Sequence, residues 1–330
     1  MGSRNAKIWV GLVGACIVFG VGYVAIAALG PDETTTDARP RAGAVLARTD
    51  LMVRAVDPKN PRLNGNVFVV DDGKVERGSR DLACERVYYA GGEGICMALG
   101  SSGVDYSATI FDSSFQAQHE IGLTGLPSRA RVSADGRYGA MTVFVSGDSY
   151  QTSPTAFSTR TTIVEMKTGK QLGQLEQFGV TKDGKPFDAV DFNFWGVTFA
   201  KDPNRFYATL GTGGDHYLVE GDVPARSLRV LRDGVECPSL SPDNTQIAYK
   251  SRLGDGERWR LHVLDVATLE DHPVAESKSI DDQVEWLDDD TLDYSDETNV
   301  YTVPADGSGE AKLLLRDATS PVRLQAPTRG

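Results

Sequence analysis

Through most of the chain, apolar and polar residues alternate in short runs, broken by clusters of Gly, Pro, Asn and Asp. Alternation with period two marks half-buried strands, and the clusters mark the turns between them. Four segments repeat one pattern: a polar approach, an apolar strand, an Asp-containing turn and a second apolar strand. They are Ser128–Phe144, Trp195–Leu210, Glu236–Arg252 and Asp282–Ser295, with turn aspartates Asp135, Asp202, Asp243 and Asp289 spaced 67, 41 and 46 residues apart. A hairpin turning at Gly92, 43 residues before Asp135, fits the same template. The wide gap reads as one unit plus an insertion, placed over Glu176–Asp191. Each hairpin is followed by a strand such as Ala108–Asp112 or Arg260–Asp265, then by one with a charged edge such as Ala311–Leu315.

Four strands in about 40–46 residues is the period of a propeller blade. The pattern therefore predicts an all-β fold: a six-bladed β-propeller of four-stranded antiparallel blades over residues 49–325, with 326–330 as a tail. The first blade starts around Leu51–Asp71, and a strand near Pro321–Leu324 covers an otherwise open edge.

The amino terminus breaks the pattern. Ile8–Leu29 is 22 residues without a charge, preceded by Arg4 and Lys7 and followed by Gly30-Pro31-Asp32-Glu33. As a helix it would span about 33 Å, enough for a bilayer core of about 30 Å. Residues 1–30 are thus expected to form a signal anchor or transmembrane helix. Positive charge before it places the C-terminal domain on the extracytoplasmic side of the cell membrane. Cleavage near Ala25-Ile26-Ala27, releasing a secreted protein, is the alternative. Residues 31–48, rich in Thr, Ala, Pro and charge, read as a flexible linker.

The chain carries 34 Lys+Arg against 46 Asp+Glu, a net charge of −12. Arg4 and Lys7 are the only charges in the first 30 residues, so the remainder stands at −14. That excludes a nucleic-acid partner that would rely on a basic face. Apolar residues at 40% suffice for a core. On an oxidising side, Cys84 and Cys96 flank the Ala90–Gly94 turn, and antiparallel pairing about Ala90 sets them opposite each other, within reach of a disulfide. Cys16 falls inside the apolar segment, and Cys237 is left as a small core residue.

Ser241-Pro242-Asp243-Asn244-Thr245-Gln246-Ile247-Ala248-Tyr249 resembles the S-P-D-G-x-x-I-A-F/Y repeat of TolB-type, WD40-like propellers, and Ser133-Ala134-Asp135-Gly136 is a second copy. Over most of residues 80–325 the chain is similar to membrane-anchored bacterial TolB-like translocation proteins. The resemblance implies the fold and a role in partner binding or envelope assembly. The chain departs from the TolB plan in lacking an α/β domain before the propeller. Asp135, Asp202, Asp243 and Asp289 are expected to cap turns through local backbone hydrogen bonds.

No G-x-S-x-G elbow, P-loop, Rossmann fingerprint or metal-ligand spacing of His119, His216, His262 and His272 is present. No catalytic residue, metal or cofactor is therefore expected. Laid in register, Ser128, Trp195, Glu236 and Asp282 stand seven before the turn Asp, and Arg129, Gly196, Cys237 and Gln283 six before. Arg131, Thr198, Ser239 and Glu285 stand four before. If these strands are innermost, Arg129, Arg131, Asn193, Trp195, Glu236, Asp281, Asp282 and Gln283 gather at one mouth of the channel. There they either stitch blades together as ion pairs or line a polar pocket for a ligand, a peptide end or a cation. The functional expectation is a monomeric, non-catalytic interaction module binding another envelope protein or a peptide. A ligand-binding or lyase-like propeller is the alternative.

Overall fold

A computed structural model describes residues 41–42, 51–57, 59, 64–71, 74–100, 102–145, 158–254 and 258–324. The anchor segment, nearly all of the linker and the tail lie outside them. Among the described residues no helix is long and apolar enough to cross a membrane. By its contacts the chain divides into Met1–Asp37 and Ala38–Gly330, and the second unit is a β-propeller.

Six sheets, each built on four antiparallel strands, form six blades. Numbered in chain order, their inner strands are Ala318–Arg323 (blade 1), Arg86–Ala90, Leu126–Val132, Asn193–Phe199, Glu236–Leu240 and Glu285–Trp286 (blade 6). Each packs against the inner strands on either side, so the six form a closed ring around an axis. Closure is by strand exchange. Ala318–Arg323 pairs with Leu51–Ala55, so blade 1 is assembled from both ends of the propeller.

Six apolar clusters fill the six gaps between adjacent blades. Met97 of blade 2 and Met141 of blade 3 belong to one cluster, Phe194 of blade 4 and Tyr138 of blade 3 to another, and Leu261 of blade 5 and Trp286 of blade 6 to a third. The alternation seen in the sequence therefore points each strand's apolar face at a neighbouring blade, and this burial is the main favourable term holding the ring.

Two blades carry additions. The Glu176–Asp191 insertion forms a short 3-10 turn, Leu175–Gln177, and a hairpin, Gly179–Lys182 with Lys185–Phe187. The hairpin joins the outer edge of blade 4 by parallel pairing with Ser227–Asp233, making six strands there. Arg41–Ala42 adds a fifth strand to blade 6, alongside Lys312–Arg316.

Cys84 and Cys96 form the disulfide, with Cα atoms 5.3 Å apart, but not in the expected register. Gly91 and Gly92 both adopt left-handed φ (58° and 92°), making a two-residue turn that pairs Ala90 with Glu93 and Val87 with Cys96. Cys84 lies before the strand, in the crossover from blade 1, and reaches Cys96 from there. The bond thus ties the exit of one blade to the second strand of the next.

Candidate functional site

The inner strands all run the same way along the axis, so the ring has two unlike ends. The inner strands finish at the turn face, where the Asp turns lie. They begin at the loop face.

The turns show why Asp recurs. Asp135 Oδ1 accepts from Ser133 Oγ at 2.6 Å and from the Arg137 amide at 3.0 Å. Asp243 repeats both bonds with Ser241 and Thr245, and Asp202 accepts from the Asn204 amide at 3.1 Å. Blade 6 departs from this scheme. There Asp288 accepts from the Asp290 amide, and Asp289 reaches the Asp243 amide of blade 5 at 2.9 Å. The run of three aspartates shifts the cap by one position and frees the second to bridge blades.

At the turn face the ends of all six inner strands surround a cavity of about 190 Å3, lined among others by Ala90, Val132, Phe199, Leu240, Trp286 and Arg323. Arg131 and Glu285 lie at its base, and both are buried. Blades 3 and 6 are diametrically opposed, and Arg131 spans the axis to form an ion pair with Glu285. It also donates to Ser239 Oγ (3.0 Å) and the Val284 carbonyl (2.8 Å), and its guanidinium stacks over the Tyr88 ring at 4.5 Å. The Tyr88 hydroxyl donates to both Glu285 oxygens at 3.1 and 3.2 Å. Burial drives the Tyr88 hydroxyl upward, well above its ordinary range. Burial pushes Arg131 down, but Tyr88 and Glu285 outweigh it and the net shift is upward. Lys201 and Arg323 also line the cavity; Arg323 makes no ion pair among the described residues.

Toward the loop face a second charged group crosses the axis. Lys250, buried, forms an ion pair with Asp281, and Arg129 approaches Asp281 at 3.9 Å. Burial would raise the Asp281 carboxyl, but the Lys250 charge prevails and holds it below the ordinary value. The Lys250 ammonium stands 4.4 Å over the Trp259 ring.

The other candidates are occupied locally. Asn193 Oδ1 accepts from the Thr159 amide of blade 3 at 2.7 Å, and its Nδ2 donates to the Asp191 carbonyl. Trp195 is buried edge-on against His216, 5.4 Å between rings. Glu236 accepts from Arg252 Nε and Trp259 Nε1, at 3.0 and 3.1 Å, within blade 5. Asp282 accepts from the Gln283 and Ser295 amides. Gln283 donates to the Val197 and Pro238 carbonyls, clipping blade 6 to blades 4 and 5. The eight residues therefore do not share one mouth. Arg131 belongs to the turn-face cavity, Arg129 and Asp281 to the cluster toward the loop face, and the rest to contacts within or between blades.

The missed participants are Tyr88, Ser239, Glu285 and Lys250. Two of them, Ser239 and Glu285, stand in the same register as Arg131 and Thr198, four before the turn Asp, and all four line the cavity. That shared register was the available signal. Among the described residues no group of three His, Cys, Asp or Glu is placed to hold a metal ion.

No family model matches the chain, and no curated protein matches it. Its fold is similar to that of solved propellers. TolB from Acinetobacter baumannii is 14% identical, aligned over 84% of this chain and 67% of that one, with a TM-score of 0.60. A chain of a nidogen/laminin complex is 11% identical over 84% of this chain and 97% of that one, TM-score 0.51. The architecture is thus that of the TolB and WD40-like propellers.

Proposed function

We propose that the chain is a membrane-anchored, extracytoplasmic propeller whose turn-face cavity receives a side chain or chain end of a partner protein. The observation that carries this reading is the size and chemistry of that cavity. At about 190 Å3 it is below the roughly 300–1,000 Å3 of pockets that enclose drug-sized ligands, yet it suits one inserted residue. Its base is a neutralised Arg131–Glu285 pair with fixed orientation, and Arg323 on its wall has no anionic partner of its own among the described residues. A carboxylate from the partner would complete that arrangement. The apolar segment at 8–29 supports anchoring, and the disulfide supports an oxidising compartment.

Photo-crosslinking from Lys201 in cells expressing the full chain tests the reading. Capture of one stoichiometric envelope protein, lost in the Arg323→Glu variant, is the expected result. Stabilisation of the protein by a small solute, with no protein captured, would instead favour a ligand-binding propeller.

A further inference from the structure

Among the described residues, the large apolar side chains left exposed are Leu99, Val104, Leu126, Phe144, Val190 and Leu253. All six lie at the same end of the ring. Leu126 is the first residue of the blade 3 inner strand, and Val190 precedes the one in blade 4. Leu99 ends the second strand of blade 2, Phe144 is next to last in the second strand of blade 3, and Leu253 follows the second strand of blade 5. Second strands run antiparallel to inner strands, so their ends return to the loop face. Val104 sits in the connection that follows Leu99. Scattered apolar side chains need no explanation, but six confined to one face of a ring do.

The attachment of the preceding chain falls at that same face. Lys312–Arg316, the fourth strand of blade 6, runs toward the loop face, and Arg41 pairs with its last residue, Arg316. The first described residue, Arg41, therefore stands at the loop-face end of blade 6. Between Leu29 and Arg41 lie 11 residues, which reach at most about 40 Å when fully extended.

We infer that the loop face is a lipid-facing surface, on which Leu99, Val104, Leu126, Phe144, Val190 and Leu253 dip into the outer boundary of the bilayer that holds the anchor. This rests on the reading of residues 8–29 as an uncleaved anchor. Lipid is the occupant because the short tether holds this face beside the membrane at high effective concentration, so shallow contacts suffice. The net charge of −14 beyond residue 30 favours a zwitterionic over an anionic surface. Docking in this way turns the axial cavity away from the bilayer, toward soluble partners.

The full chain, reconstituted in phosphatidylcholine vesicles containing doxyl-labelled lipid, provides the test. A fluorescent amino acid replaces Val104, Leu253 or, as control on the opposite face, Lys201. Vesicle flotation is scored separately. The expected result is co-flotation with at least twofold quenching at 104 and 253, none at 201, and weaker quenching when a third of the lipid is anionic. Co-flotation with equal, unquenched emission at all three positions overturns the docking while leaving the anchor intact. Failure to float overturns both. Emission at 104 that shifts with protein concentration but is not quenched by lipid assigns the face to a second copy of the chain, and overturns the lipid surface.

Discussion

Arg131 and Glu285, separated by 154 positions in sequence, meet across the propeller axis as a buried ion pair. They come from opposite blades, so the pair braces the ring along a diameter. Ser239, Val284 and Tyr88 add hydrogen bonds to the pair that offset the cost of burying two charges, while Arg131 Nε is left without a partner.

Removing one partner leaves the other charged and dry. Arg131→Ala or Glu285→Ala is expected to cost about 3–5 kcal/mol, and Arg131→Met combined with Glu285→Leu markedly less than the sum. Urea denaturation of the single and double variants measures both. A double variant as unstable as the two single losses added together would contradict the diametric brace.

The Cys84–Cys96 bond closes a loop with a sequence separation of 12. Chain-entropy reasoning assigns such a loop about 3 kcal/mol of stabilisation. Unfolding free energies from urea denaturation, taken with and without dithiothreitol, should differ by that amount. Cys84→Ala together with Cys96→Ala should reproduce the reduced value and make it insensitive to reductant.

Asp293, fully buried, faces Glu285 across the pair of strands and lies beside the Thr302 hydroxyl. Neither of its carboxyl oxygens has a hydrogen-bond partner of good geometry. Burial, reinforced by Glu285 and Asp288, pushes it from an ordinary 3.8 up to about 8. Between those values the native protein retains a proton that the unfolded chain has released. Stability from this group is thus complete below about pH 4 and falls as pH rises to about 8. Asp293→Asn should match the native protein near pH 4 and melt progressively higher than it toward pH 8.5. A constant difference in Tm across that range would rule the assignment out.

Gly196 adopts φ of 64° where the inner strands of blades 4 and 5 touch, and a Cβ there would lie 2.6 Å from Cys237 Cα. Gly196→Ala therefore combines left-handed strain with a backbone collision. A loss of at least about 1–3 kcal/mol is expected by thermal or chemical unfolding. Gly214→Ala, also left-handed but with open space around its Cβ, should cost less.

The turn aspartates and the alternation around them carried the blade count and the closing strand near Pro321–Leu324, because tight turns and half-buried strands impose local residue choices. The hairpin register was misplaced because two consecutive glycines accept a turn centred between them as readily as one centred on Ala90. Membership of the axial cavity was harder to read. Arg131 meets Glu285 only once three further blades have carried the chain through half a turn, and no local rule links the two residues. Glu236 and Asn193 looked like channel groups by position, but their side chains find nearer partners in Arg252 of the same blade and Thr159 of the preceding one.

The pairing of Ala318–Arg323 with Leu51–Ala55 also sets an order of events during synthesis. Five blades can assemble as the polypeptide emerges, but the first remains without its innermost strand until residue 323 has been made and delivered. Until then the nascent protein carries an open seam with unpaired backbone on both lips. A premature stop anywhere before Ala318 would make that transient vulnerability permanent.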